Sequence, residues 1–176
     1  MSQYRLNRLF NPGSGRVLDV AVDHGFFGEA SFISGIEDMD LVIATLVRAN
    51  PDAVQLTIGQ RIPGKQKPAL VLRTDVANVY GNPLESHIFS HHVPNAIEEA
   101  VRLDAVAVCA NLMQLPGHPE IREANIRSIM ALREDATKYG MPLMIEPLVM
   151  QDNAKAGGGY MVDGDTDKIV TLVRQA

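Results

Sequence analysis

Five short, near-continuous apolar runs constrain this chain more than any other feature. They are Arg16–Val22, Ala53–Ile58, Ala69–Arg73, Ala105–Ala110 and Pro142–Glu146. Their apolar residues fall at successive rather than strictly alternate positions. That pattern means burial on both faces, as in a parallel sheet covered by helices. The runs start about 36 residues apart, except for the close pair at 53 and 69, which is the rhythm of βα units. Segments of helical periodicity fill the gaps at 38–49, 95–103 and 120–139. Asp38 or Asp40 is the expected cap of the first, and Gly140 the C-terminal stop of the third. The segments 25–35, 111–119 and 147–164 read as long loops, and 88–93 as a short extra strand.

These elements predict an α/β fold built as an incomplete (β/α)₈ TIM barrel. Residues 1–15 form an amphipathic N-terminal arm, and residues 16–176 form βα units one to five of a single domain. A closed barrel needs eight strands and typically about 250 residues. The chain runs through Asp167-Lys-Ile-Val-Thr-Leu-Val-Arg-Gln-Ala176 with no glycine to stop the helix. The expectation is therefore the first two thirds of a barrel, and the alternative is an open parallel α/β sheet. A partial barrel leaves the edges of strands one and five unpaired, and such edges invite association. A homo-oligomer is expected on that ground.

Composition narrows the class. The apolar fraction is 46%, the charged fraction 21% and the net charge −5, ordinary values for a globular domain. The negative balance argues against a nucleic-acid or anionic-membrane partner. Cys109 is the single cysteine and lies in an apolar run, so it reads as a buried, inert thiol in a reducing compartment. No apolar stretch approaches the ~20 residues of a membrane span, and no signal-peptide core follows Arg5 and Arg8. A cytoplasmic protein is the expectation.

The chemistry is expected at the C-terminal strand ends, which converge on one face of a parallel sheet. Those ends present Asp23-His24, Thr57 or Gln60, Arg73-Thr-Asp75, Asn111 and Glu146. Asp23 follows an apolar strand, where partial burial raises a carboxyl pKa and suits it to proton transfer. It is the first catalytic candidate, and Glu146 is the second, as an acid/base or an ion-pair partner. His24 is a candidate to orient Asp23 or bind a substrate oxygen. Arg73 is a candidate to hold a phosphate, or to pair with Asp23, Asp75 or Glu146.

Other residues are weaker signals. His87 and His91 stand four apart beside His92 and Glu85, a spacing that would share a helix face, yet nothing there demands a helix and no metal site is assigned. Gly157-Gly-Gly159 lacks the G-x-x-x-x-G-K-[ST] pattern of a nucleotide loop and reads as a flexible lid. No cofactor is expected. An imine-forming lysine must be held neutral by burial. Lys65, Lys67, Lys138, Lys155 and Lys168 all fall in polar loops or at helix ends.

The segments Arg5-Leu-Asn-Arg-Leu-Phe-Asn-Pro12 and Val20-Ala-Val-Asp-His-Gly25 resemble the archaeal-type class I fructose-bisphosphate aldolases. Among these DeoC/LacD-like aldolases they stand nearest the branch of the autoinducer-2 phosphate thiolases. Pro68–Arg73, Glu99–Asp104 and Tyr139–Met144 fit the same pattern in the same order. The resemblance implies a Schiff-base aldolase acting on a sugar phosphate. Asp23 would match the family's strand-one aspartate, which assists proton transfer around the carbinolamine. It places the imine-forming lysine on strand six and the phosphate groups on strands seven and eight, past Ala176, so the chain by itself is expected to be inactive. A non-catalytic sugar-phosphate-binding or interaction remnant of the fold is the alternative. Glu146-Pro147 stands where these aldolases carry an aromatic acid/base, a departure from the sugar-bisphosphate pattern.

Overall fold

The computed structural model describes residues 2–60, 62, 68–80, 88–154 and 159–176. Helix α1 (Ser2–Leu9) leads into β1 (Asp19–Ala21), then α2 (Met39–Ala49), β2 (Ala53–Leu56) and β3 (Ala69–Arg73). A hairpin of β4 (Asp75–Asn78) and β5 (Phe89–His92) precedes α3 (Ala96–Arg102), β6 (Ala107–Gln114) and α4 (Pro119–Tyr139). The chain continues through β7 (Leu143–Asp152), β8 (Tyr160–Val162) and α5 (Thr166–Val173).

Strands β1, β2, β3, β6 and β7 lie side by side in that order, every neighbouring pair parallel. A doubly wound sheet reverses its strand order at a switch point. Here the order never reverses, so the open-sheet alternative gives way to a curled half-barrel. The two sheet faces differ accordingly. Val54, Leu56, Leu70, Leu72, Val108 and Ala110 form the main core with Ile43 of α2, Ile97 of α3 and Leu132 of α4. The opposite, inner face carries the small residues Ala53, Ala69, Val71, Ala107 and Cys109, against which Leu9 of α1 packs. Residues two apart on a strand share a face, so Gln55 follows Ala53, and Arg73 follows Ala69 and Val71, onto that inner side.

The helices form where their ends are chemically closed. Asp38 accepts from the Leu41 amide at 3.1 Å to cap α2, and Asp165 accepts from the Asp167 and Lys168 amides to cap α5. Helix α4 stops at Gly140, whose φ of 61° is left-handed backbone that a glycine adopts without strain. No helix among the described residues is long and apolar enough to cross a membrane.

Four expectations are corrected. The first strand pairs only from Asp19, and Arg16–Leu18 run irregularly into it from the turn at 12–15. Strand β6 does not end at Ala110 but continues to Gln114, bonded alongside β7 from Val108↔Leu143 to Gln114↔Val149. Strand β7 runs through Glu146 and Pro147 to Asp152, then turns back as β8, antiparallel from Met150↔Val162 to Asp152↔Tyr160. Pro147 lies opposite Leu112 of β6 and is accommodated because its other side is not paired by β8, which meets only Met150–Asp152. The strand Asp75–Asn78 was not anticipated, and it pairs with β5 in the register Asp75↔His92.

Candidate active site

Each C-terminal strand end on the inner face contributes one polar side chain. Asp23 follows β1 and leads a 3₁₀ turn, His24–Phe27, that swings Phe26 and Phe27 over the mouth of the half-barrel. Gln55 stands on β2, Arg73 ends β3, Asn111 stands mid-way along β6 and Glu146 on β7. Asp75 opens β4, directly beyond Arg73. All but Glu146 are almost completely buried.

Arg73 is the hub. Its Nε donates to Asp23 Oδ2 at 2.6 Å, its Nη2 to Glu146 Oε2 at 2.5 Å, and its Nη1 to Asp75 Oδ1 at 3.5 Å. The guanidinium also lies 4.4 Å from the centre of the Phe26 ring. Burial works against the Arg73 charge, but the surrounding anionic groups raise its pKa further still. A planar fork with five donors serves three carboxylates in fixed directions, a geometry that a compact ammonium does not offer. Gln55 Nε2 joins the same set, donating to Asp23 Oδ2 at 2.9 Å and to Glu146 Oε1 at 3.3 Å.

The carboxylates are not equivalent. Burial works against the Glu146 anion, yet Arg73 and hydrogen bonds from Arg73, Gln55 and the Cys109 thiol hold it below the usual carboxylate range. Its side chain remains 34% exposed, so it still faces the cavity. Asp75 accepts from the Asn111 amide at 3.1 Å and from Asn111 Nδ2 at 2.8 Å. Burial nonetheless pushes Asp75 up, against the pull of Arg73 and Asn111. Asp19 lies one strand layer deeper on the inner side of β1. Burial, then the Asp23 and Glu146 charges, push it up to about 6, and its Oδ1 is buried with no partner among the described residues. The cluster thus sets four carboxyl groups against one guanidinium.

Above this floor lies a cavity of about 320 Å³. Asp23, His24, Gln55, Arg73 and Glu146 line its base, and Phe26, Phe27, Phe32, Tyr80, Leu148 and Val162 form its walls. The aromatic wall is tightly knit: Tyr80 meets Phe27 and Phe32 edge-on, each at 4.7 Å between ring centres. His24 Nδ1 is buried there without a partner among the described residues.

The structure therefore brings Asp23, His24, Arg73 and Glu146 to one cavity, with Asp75 and Asn111 behind them. Thr57 and Gln60 do not join. They bond to each other, Thr57 Oγ1 to Gln60 Oε1 at 3.1 Å, in the turn after β2. Gln55 was missed, although a lone amide in the run Ala53-Val-Gln-Leu-Thr-Ile58, in step with inward-facing Ala53, is a readable signal. His91 and His92 are not on a helix but on β5, where His91 stacks on Phe89 and His92 Nδ1 faces the Thr74 carbonyl at 3.1 Å. His87, Lys65, Lys67, Lys155 and the glycines at 157 and 158 lie outside the described residues. Lys138 is exposed at the end of α4, and Lys168 is paired with Asp163 at 2.7 Å.

Comparison with known proteins agrees with this fold. The family model described as DeoC/LacD family aldolase matches residues 17–176. An uncharacterized aldolase of Saccharolobus solfataricus is 30% identical over 160 residues, 86% of this chain and 57% of that protein. A 3-hydroxy-5-phosphonooxypentane-2,4-dione thiolase of Klebsiella pneumoniae is 34% identical over 145 residues, 81% of this chain and 46% of that one. The chain spans about half the length of the curated relatives it matches. The crystal structure of Cgl0159 from Corynebacterium glutamicum superposes with a TM-score of 0.68 at 15% identity, over 98% of this chain and 62% of that one. That likeness shows the fold. The chain belongs to the DeoC/LacD aldolase family.

Proposed function

We propose that this DeoC/LacD-family chain forms the carboxylate-bearing half of a class I aldolase site for a phosphorylated ketose or related sugar phosphate. One observation carries the reading: Asp23 and Glu146 share a single buried guanidinium at the base of a cavity where negative groups outnumber positive ones. An imine formed between a lysine and a ketone is cationic when protonated. A water-poor site with an excess of fixed negative charge stabilises that cation more than it stabilises the neutral ketone.

Among the described residues both side-chain donors to Asp23 meet Oδ2, which leaves Oδ1 to work on the substrate. In this reading Asp23 carries the proton at the carbinolamine oxygen, giving it up as that oxygen departs as water and the iminium forms. The carbon–carbon bond then breaks with its electrons entering the iminium to give an enamine, as the β-hydroxyl yields its proton to the now-ionised Asp23 and leaves as the aldehyde. Glu146, with both oxygens bonded, acts as a fixed anion. His24 offers Nδ1 to a substrate oxygen. Arg73, committed to three carboxylates, serves as the organiser of the floor, and the phosphate would lie away from this acidic wall. Neither Lys138 nor Lys168 faces the cavity, so the amine comes from outside the described residues. We seek it in the half of the relatives' length that this chain does not match.

The test is to express the longest reading frame containing this sequence and follow phosphorylated ketoses by NMR. Release of paired aldehyde and ketone products supports the aldolase reading. Saturable binding of a sugar phosphate without any bond cleavage overturns it in favour of a binding role. A homo-oligomer in the cytoplasm fits the reading, and light scattering tests the first part.

A further inference from the structure

We infer that Gln55 is a positioning residue that divides the labour between the two carboxylates of the cavity. Its terminal nitrogen bonds both from a single atom, at 2.9 Å from Asp23 Oδ2 and 3.3 Å from Glu146 Oε1, whereas Arg73 reaches them through separate nitrogens. A primary amide has two N–H donors on that nitrogen and no acceptor there. Both hydrogens are therefore spent on carboxylate oxygens. Such bonds are strongest when the acceptor is ionised, and protonating either oxygen forfeits one. Gln55 is 1% exposed on a strand flanked by β1 and β3, so its amide is held in place by packing.

The consequence is asymmetric. Glu146 has Gln55 on Oε1 and Arg73 on Oε2, with the Cys109 thiol adding a third donor. Every group facing it from β2, β3 and β6 favours its anion, while burial and the nearby carboxyls of Asp19, Asp23 and Asp75 oppose it. Asp23 receives Gln55 and Arg73 on the same oxygen. That geometry locks its plane and turns its other oxygen to the proton relay. Gln55 thus fixes which carboxylate moves protons and which remains charged. The inference rests on the reading of this cavity as the reacting site, but its test reads ionisation and needs no turnover.

The experiment is a ¹³C-carboxyl NMR titration of Glu146 in the native protein and in Gln55→Met, which keeps the length and removes the donor. The midpoint of Glu146 should rise by about half to one pH unit in the variant, with the circular dichroism unchanged. An unmoved midpoint in a folded variant overturns the inference. Should Gln55→Met fail to fold, the native protein still decides. Both side-chain amide protons of Gln55 should shift with the Glu146 midpoint, and amide resonances indifferent to that titration overturn the role. Loss of turnover with these titrations intact would count against the aldolase reading alone.

Discussion

Arg73 donates to Asp23 over 2.6 Å across the inner face of the sheet, with side chains 3% and 2% exposed. The two residues sit 50 apart in sequence, and the parallel register of β1, β2 and β3 is what brings them together. Desolvating both charges is costly, and the pair is retained only because the same guanidinium also serves Glu146 and Asp75.

Removing that guanidinium should be severe. Arg73→Met leaves three carboxyls without their counter-charge and is expected to cost about 3–5 kcal/mol near neutral pH. Urea unfolding measures it, and the deficit should shrink as pH falls and the carboxyls protonate. Arg73→Lys restores charge but not the fork, and should recover only part of the loss.

Asp19 gives a pH dependence of the opposite sense to an ion-paired carboxylate. Its pKa is raised to about 6 in the fold from 3.8, so between those values the folded state holds more protons than the unfolded one. By linkage, its contribution to stability falls as pH rises through that window. Discounted for its partial exposure, Asp19→Asn should stabilise the protein by about 1–2 kcal/mol at pH 7 and by almost nothing at pH 3.5. Equal effects at both pH values would contradict the placement. Glu146 works the other way, since its pKa is lowered: it stabilises above its unfolded pKa and that stability is lost on acidification.

Cys109 should be unreactive in the folded protein. It is 0% exposed, and burial pushes its pKa well up, so no thiolate is available to attack. Iodoacetamide at pH 8 should label it only after unfolding. Stoichiometric labelling of the native protein would show that β6 opens locally.

Asp23→Asn should separate chemistry from binding. With the reacting lysine present, kcat is expected to fall about 10²–10⁴-fold while KM changes far less. Glu146→Gln, which removes a fixed charge rather than the proton carrier, should cost less in kcat.

How much of this was legible in the sequence follows from what each residue does locally. Asp23, Arg73 and Glu146 stand out because a charge at the end of an apolar run has no structural reason to be there, and the strand rhythm places those ends on one face. Their mutual pairing was one of several open possibilities, since register across β1, β2, β3, β6 and β7 is a tertiary property. Gln55 was hidden because an amide carries no charge to catch the eye. The β7–β8 hairpin was hidden because Pro147 and the glycine run at 157–159 read as a loop, although an edge strand tolerates that proline. Asn111 read as a loop opener, when inside β6 its backbone and side-chain N–H groups both donate to Asp75.

The central claim is that Asp23 manages the proton during imine formation on a lysine. Incubation with dihydroxyacetone phosphate and borohydride, followed by intact mass measurement, tests it directly on the longest chain containing this sequence. The account predicts a single reduced adduct on one lysine, formed at least a hundredfold more slowly in a folded Asp23→Asn variant. No adduct at any chain length, or equal rates in the two proteins, would contradict it.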